Sequence, residues 1–457
     1  MLVVSHRGPV SYAFDVAGVP QARRGAGGMA SGLRSALQGR PATWVAAAMG
    51  EADRAAARLG SSSGVDAIEV HLLELDENQH HLHYDVVSNE VLWFLHHGLI
   101  DATRRPWLDR GFQEAWSAYE TVNEAFARAI AEEASEGETV LVHDYHLSLV
   151  PGSLRAIRPD LAVAHFTHTP FSAPDELTML PDSVARAICA SMAGTPCGFH
   201  SERWAQRYRA TLRSVLGPNS GGAPAFVSPL AVDEEELMAS ASSPGATAAL
   251  AELDEVVGDR KLILRVDRVE PSKNIVRGFA AYDLLLEERP DLRGAVVFVA
   301  LLHPSRETLT EYVTYRREVE RAAAQVNERW SSDGWQPVVL EAADDHPKSM
   351  AAFTRYDVLL VNPLRDGLNL VAKEAPLVNR RQGVLCLSPT AGAFDELGEA
   401  VLAVHPFDLV QTARALGVAL SMEPSDRSRR AALLQRLCAR RQPGDWLTDL
   451  LAHAARG

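Results

Sequence analysis

The sequence predicts an α/β protein made of two doubly wound, parallel-sheet domains. Three observations lead there. Short, nearly continuous apolar strands alternate with longer amphipathic stretches, the pattern of a parallel sheet covered on both faces. The chain is 457 residues long, and a single core rarely grows past roughly 250–300 residues. A Gly/Pro/Ser-rich segment, 216–247, separates two halves of similar make-up.

The elements follow in order. LVVS (2–5) reads as a strand running into the turn SHRGP. Trp116, Tyr119, Val122, Phe126 and Ile130 recur at spacings of three and four, which gives a helix with one apolar face. TVLVHD (139–144) and LAVAHFTH (161–168) are strands that close on polar residues. The second half continues with strands KLILRVD (261–267), AVVFVALL (295–302), DVLLVN (357–362) and GVLCLS (383–388). Helices are expected over 276–288, 307–328 and 429–455. The boundary segment sets domains of 1–229 and 230–436, with a C-terminal helix, 437–457, packing back on the first. Two such sheets would present the C-terminal ends of their strands to one cleft, where open α/β sheets bind ligands.

Composition narrows the function. With 45 Lys+Arg against 59 Asp+Glu the net charge is −14, which argues against a nucleic-acid binder held by phosphate contacts. Cys189, Cys197, Cys386 and Cys438 form no C-x-x-C pair and no zinc spacing, and read as thiols in a reducing compartment. The apolar run Ala295–Leu302 is eight residues, a buried strand rather than a membrane span. No signal peptide is visible, so a soluble, cytoplasmic protein is expected. A homo-oligomer is compatible with all of this.

Polar residues cluster just after strands. RRGAGG (23–28) places glycines before a helix, where backbone N–H groups can approach a phosphate; read alone, a plain turn fits as well. RVDRVEPSKN (265–274) carries Arg268 and Lys273 on one loop, a guanidinium fork and a mobile ammonium suited to a diphosphate, or equally two surface cations. In RDGLNLVAKE (365–374), Asp366 and Gly367 form a loop and Leu370 to Glu374 begin a helix whose N–H groups face an anion or sugar hydroxyls. Glu374 sits about a turn in, where a carboxylate can take both hydroxyls of a ribose; read alone, the decapeptide fits an N-capped helix and no more. Asp144 of HDYH and His168 of HTPF end neighbouring strands and would share the cleft.

Taken together, the ordered set VSxRxP, GGxxSGL, VHDYHLxLVP, HTPF, GFH, DRxxxSKN, PSR…Y and RDGxNLVAKE resembles the trehalose-6-phosphate synthases, from Val3 to about Asp408. These are retaining glycosyltransferases that use nucleotide sugars and have two Rossmann-like domains facing a cleft (the GT-B arrangement). The resemblance implies a nucleotide-glucose donor, UDP- or GDP-linked, as co-substrate, a sugar-phosphate acceptor, and no metal or other cofactor. It implies that Arg268 and Lys273 meet the donor diphosphate and that Gly27 and Gly28 let a loop close over it. It assigns Asp366, Gly367, Leu368, Asn369, Leu370 and Val371 to the donor sugar and phosphates, and Glu374 to the ribose. His168 falls near the transferred sugar's 6-hydroxyl and Asp144 at the reaction centre beside the acceptor. Arg7 and Arg306 match arginines that bind the acceptor phosphate. Trp44 and Trp116 sit where the family has tryptophans lining the site.

The chain departs from the family on the acceptor side. LWFLHHG (92–98) puts Gly98 where the family's LWPLFHY has tyrosine, and His96 or His97 is the nearest substitute donor. His6 replaces the asparagine of VSNR, and Glu270-Pro271 replaces the common Asp-Tyr. A related pseudo-glycosyltransferase, which joins a nucleotide-activated cyclitol to an aminocyclitol phosphate, shares the run EAPLVN (374–379) and also departs there. Three readings follow: trehalose 6-phosphate synthesis by a metal-independent front-face reaction, transfer to another phosphorylated acceptor such as a cyclitol phosphate, and a non-catalytic nucleotide-sugar sensor.

Overall fold

The computed structural model describes residues 1–24, 28–59, 68–218 and 224–456. The chain folds into two units, Met1–Ala231 with Gln442–Gly457, and Val232–Arg441.

Among the described residues the first unit holds nine strands: β1 (Leu2–Val4), β2 (Val10–Phe14), β3 (Pro20–Arg24), β4 (Ala42–Ala47), β5 (Ile68–Leu73), β6 (Thr139–His143), β7 (Ala162–Thr167), β8 (Cys197–Phe199) and β9 (Ala225–Val227). β2 and β3 form an antiparallel hairpin. The other seven make one parallel sheet in the order β5-β4-β1-β6-β7-β8-β9. Its direction of winding reverses between β1 and β6, which pair from Leu2↔Val140 to Val4↔Val142. Leu2, Val4, Val140 and Val142 on the sheet pack with Val122, Phe126 and Ile130 of the helix Arg110–Glu133. The three-and-four spacing read from the sequence is thus the buried face of that helix.

The second unit contains β10 (Lys261–Arg268), β11 (Val296–His303), β12 (Val338–Ala342), β13 (Val358–Val361), β14 (Val384–Leu387) and β15 (Leu402–Ala403). They are parallel in the order β12-β11-β10-β13-β14-β15, with the reversal between β10 and β13. β10 and β11 pair along eight residues, Lys261↔Val296 to Arg268↔His303. Their interiors are buried, so the strands read as apolar runs rather than alternating ones. In each unit the reversal marks where an open α/β sheet binds its ligand, just beyond the strand ends.

Two sequence readings change. The segment 216–247 is not a bare linker, because β9 and the helices Glu234–Ala241 and Pro244–Val257 lie in or across it. Asp233 and Ser243 cap those helices by accepting from the N–H groups of Glu236 and Ala246. The acidic run therefore lies in a first helical turn, where it suits the helix dipole. The stretch 429–455 is likewise two helices, Pro424–Cys438 and Pro443–Ala454. Pro443 starts the second one, and the chain passes back into the first unit at Arg441–Gln442. This last helix packs on Gly28–Leu37 and on β6 and β7. Where the sequence divided the chain after 229 and 436, the units divide after Ala231 and Arg441.

Candidate active site

In the first unit, Asp144 follows β6 with φ of 70°, a left-handed backbone rare for a non-glycine residue. Its N–H donates to the Phe166 carbonyl at 2.8 Å, and its Oδ1 accepts from the His168 N–H at 3.2 Å. The ends of β6 and β7 are thereby tied together, with both side chains half-buried. His168 is one link in a chain of imidazoles. Its Nδ1 lies 3.2 Å from His200 Nε2, and its Nε2 lies 3.2 Å from His143 Nδ1. The Leu230 N–H donates to His200 Nδ1 at 3.3 Å, which assigns the proton of a neutral His200 to Nε2. His168 Nδ1 then accepts, and its Nε2–H donates to His143. Burial pushes His168 down to about 3 and holds His143 well below the usual imidazole range, so both are neutral. Both ring nitrogens of His168 are engaged, so it presents a fixed imidazole edge and is not poised as a general base. Trp446, from the C-terminal helix, backs this chain at 5.9 Å from the His143 ring and 6.0 Å from the His168 ring. No local sequence pattern marks that support, because it comes from the far end of the chain.

Arg7 is exposed just past β1, with its guanidinium carbon 5.7 Å from the ring of Tyr84. Tyr84 lies in an eleven-residue π-helix, Leu82–Leu92, a wound form found mostly at functional sites. Beneath them His6 is stacked on His80, His83, Tyr84 and His146, at ring separations of 4.5 to 5.2 Å. His6 is buried, neither of its ring nitrogens has a hydrogen bond, and burial with the neighbouring histidines and Arg7 holds its pKa far below the usual range.

Three acceptor-side assignments are corrected. Trp44 is fully buried in β4 rather than at a surface; its Nε1–H donates to Ser5 Oγ at 2.8 Å, and Ser5 donates to the Arg7 carbonyl at 2.6 Å. It supports the Arg7 turn from behind. Trp116 is buried against Tyr119, at a ring separation of 5.0 Å. His97 is buried against Trp93, 4.1 Å ring to ring, with Nδ1 2.7 Å from the Trp93 carbonyl. His96 is buried too, its Nδ1 accepting from the Ser172 N–H at 3.1 Å. Gly98 ends the short helix Trp93–His97 with φ of 62°, a conformation that glycine adopts without strain. The tyrosine beside Arg7 is therefore Tyr84, and position 98 is a helix terminus. The sequence hid this because the π-helical winding, not a spacing, brings Tyr84 under Arg7.

In the second unit, β10 runs into a tight turn, Pro271–Lys273, closed by Asn274 at φ 61°. Lys273 Nζ lies 2.5 Å from Asp366 Oδ2. Burial opposes its charge, but Asp366, Asp267 and Glu270 outweigh that and hold its pKa above the ordinary value. Arg268 is half-exposed at the strand end. Asn369, at φ 77°, donates from Nδ2 to Asp366 Oδ2 at 3.1 Å and accepts at Oδ1 from the Ala372 N–H at 3.1 Å. The loop is pressed onto Gly392, where a Cβ would stand 2.0 Å from the Gly367 carbonyl oxygen. In this conformation the N–H groups of Leu368, Asn369, Leu370 and Val371 have no acceptor among the described residues. They form a row of donors leading into the helix Val371–Val378, an arrangement that attracts an anion. Glu374, one turn in, is half-buried with no side-chain partner among the described residues, and burial raises its pKa to about 7.

Arg306 has φ of 45°, and its guanidinium lies over the Tyr312 ring at 5.4 Å. Among the described residues, four of the five non-glycine residues at positive φ are Asp144, Asn274, Arg306 and Asn369; the fifth, Gln382, lies elsewhere. Strain of this kind gathers at functional sites. Gly28 opens the helix Gly28–Leu37, and Gly27 lies outside the described residues. Among the described residues no group of His, Cys, Asp and Glu side chains is placed to hold a metal ion, and no helix is long and apolar enough to cross a membrane.

Comparison with known proteins gives the family and the fold. The sequence model of Glycosyltransferase family 20 matches residues 1–456. A trehalose-6-phosphate synthase of Mycolicibacterium smegmatis is 32% identical over 479 aligned positions, covering 100% of this chain and 92% of that one. A bifunctional trehalose-6-phosphate synthase/phosphatase of Thermoproteus tenax is 34% identical over 380 positions, 80% of this chain; the match spans about half, 51%, of that relative's length. Among solved structures, the E. coli trehalose-6-phosphate protein bound with UDP-2-fluoro glucose superposes with a TM-score of 0.83 at 26% identity, over 98% of both chains. A UDP-forming α,α-trehalose-phosphate synthase from Burkholderia xenovorans, in complex with glucose-6-phosphate, superposes with a TM-score of 0.85 at 25% identity, over 99% of both chains.

Proposed function

The chain belongs to glycosyltransferase family 20, and from that premise we propose that it moves glucose from a nucleotide-glucose to glucose 6-phosphate, giving α,α-trehalose 6-phosphate with the anomeric configuration retained. The observation that carries this reading is the donor half of the site in the second unit. Among the described residues, four N–H groups of one loop have no acceptor, Lys273 is tied to that loop through Asp366, and Glu374 has no side-chain partner one turn further on. That set matches the parts of a nucleoside diphosphate sugar: amides and cations for the diphosphate, a carboxylate for the ribose hydroxyls.

In the reaction the bond between the anomeric carbon and the diphosphate oxygen breaks. A bond to the acceptor's anomeric hydroxyl oxygen forms on the same face, and the hydroxyl proton passes to the departing diphosphate. No protein nucleophile takes part. Arg268, Lys273 and the 368–371 amides stabilise the charge that develops on the leaving group, and we assign that work to them rather than to a metal. Asp144 is assigned to the acceptor at the reaction centre, and His168 to the donor sugar as a fixed wall. Arg7, with Tyr84 beside it, is the acceptor-phosphate group of the first unit, and Arg306 that of the second. Gly98, where the chain departs from the family's tyrosine, ends the helix Trp93–His97, and the tyrosine beside Arg7 is Tyr84, which supports a phosphorylated acceptor at Arg7.

The test is a product assay. The purified protein is given UDP-glucose or GDP-glucose with glucose 6-phosphate, and the products are read by mass spectrometry and NMR. An α,α-1,1-linked disaccharide phosphate is expected, and the better donor identifies the base. Consumption of neither donor in the presence of glucose 6-phosphate, with cyclitol phosphates accepted instead, would overturn the acceptor assignment.

A further inference from the structure

Glu270 follows β10 and is 1% exposed. Pairing continues past the strand ends, since the Val269 N–H donates to the His303 carbonyl at 2.9 Å, and this lays 268–270 beside 303–306. One carboxylate oxygen, Oε1, accepts from Ser305 Oγ at 2.9 Å and is ion-paired with Arg268 Nη1 at 3.2 Å and Arg306 Nη1 at 3.9 Å. Burial alone would favour the neutral acid. Arg268, Arg306 and Lys273 outweigh it and draw the carboxyl down to about 2, so the charge is permanent.

We propose that Glu270 is a positioning residue that fixes the guanidiniums of Arg268 and Arg306 on one shared oxygen, trading ground-state anion affinity for catalytic orientation. The inference rests on the reading above, in which Arg268 meets the donor diphosphate and Arg306 the acceptor phosphate. A buried anion between two arginines competes with any substrate anion for the same cations. Its charge therefore weakens binding of both substrates. Its geometry works the other way, because a cation held where charge develops acts without reorganising during the reaction. Binding and turnover should then respond in opposite directions when the charge is removed. A carboxylate that only held the fold together would move both the same way.

Glu270→Gln keeps the volume and an oxygen for Ser305 but removes the charge. Expected is affinity for UDP, GDP and glucose 6-phosphate, measured by calorimetry on the full chain, tightened about threefold or more, with kcat at least about tenfold lower. Glu270→Asp restores the charge and should return affinity to the wild-type value. Unchanged or weakened affinity in Glu270→Gln, or an unchanged kcat, overturns the proposal. Should Glu270→Gln fail to fold, Ser305→Ala loosens the same oxygen without altering charge. It is expected to lower kcat while leaving affinity in place, and an unchanged kcat there is equally fatal. Failure of the underlying reading shows separately: Arg268→Ala with wild-type affinity for both nucleoside diphosphates removes the donor assignment, whatever Glu270→Gln does.

Discussion

Glu374 carries a charge that depends on what occupies the site. In the free protein burial lifts its pKa from 4.5 to about 7. The folded chain then holds a proton that the unfolded chain has lost, so the stability this group contributes is present below pH 4.5 and is lost as pH rises to about 7. Two ribose hydroxyls donating to the carboxylate would favour its ionised form, and donor binding would expel the proton. Affinity for the nucleoside diphosphate is therefore expected to rise with pH up to about 7 and then level off. Calorimetry across that range checks the slope. Glu374→Gln should flatten it and weaken binding roughly 10-fold or more, the worth of hydrogen bonds to a charged group. Lys273 poses a different question, since its ammonium is already paired with Asp366. Lys273→Ala removes a preorganised cation and is expected to cost about 10²–10³ in kcat. Single-turnover kinetics at saturating donor separates that loss from weaker binding, and a near-normal rate would remove Lys273 from the reaction.

The C-terminal helix Pro443–Ala454 acts as part of the first unit's sheet support. Trp446 is fully buried and contacts His143, Phe166 and His168 together. Trp446→Ala should cost about 3–5 kcal/mol by opening a cavity there. Because the cavity lies against the His143–His168–His200 chain, kcat should fall along with Tm; a lowered Tm with wild-type kcat would show that the imidazole chain holds without it. The same region shows what can be read from sequence. Strand ends were legible, since apolar runs closing on HDYH and HTPF place Asp144 and His168 where β6 and β7 stop, and RDGLN places Asp366 in the loop that follows β13. Residues whose role depends on packing between distant segments were not. Trp44 looks like a site tryptophan in a linear motif, but β4 is an inner strand and its indole is turned into the core. Tyr84 reaches Arg7 only through a π-helix, and no apolar spacing announces that winding. Trp446 joins a sheet whose strands lie about three hundred residues earlier, so nothing local could mark it.

At the scale of the whole molecule, the route of the chain separates the two halves of the chemistry. It crosses once at Ala231–Val232 and returns once at Arg441–Gln442. Between those crossings lie a complete six-stranded sheet, its own core around Phe279 and Phe298, and Arg268, Glu270, Lys273, Asp366, Asn369 and Glu374. Among the residues assigned to the donor, Gly27 and Gly28, for the diphosphate, and His168, for the sugar, belong to the other unit. Val232–Arg441 is 210 residues counted from those limits, a size at which one domain sustains a core. Expressed alone, it should melt cooperatively and bind UDP or GDP, with no more than roughly a tenfold loss, the scale of about one hydrogen bond. It should show no transfer, because Asp144 and Arg7 are absent from it. Calorimetry on the isolated fragment, with circular dichroism to establish that it is folded, decides the matter. A folded fragment blind to both nucleoside diphosphates would mean that the glycine turn of the first unit, rather than the 366–371 loop, supplies most of the grip on the diphosphate. The donor assignment would then have to be rebuilt from Gly27 and Gly28 outward.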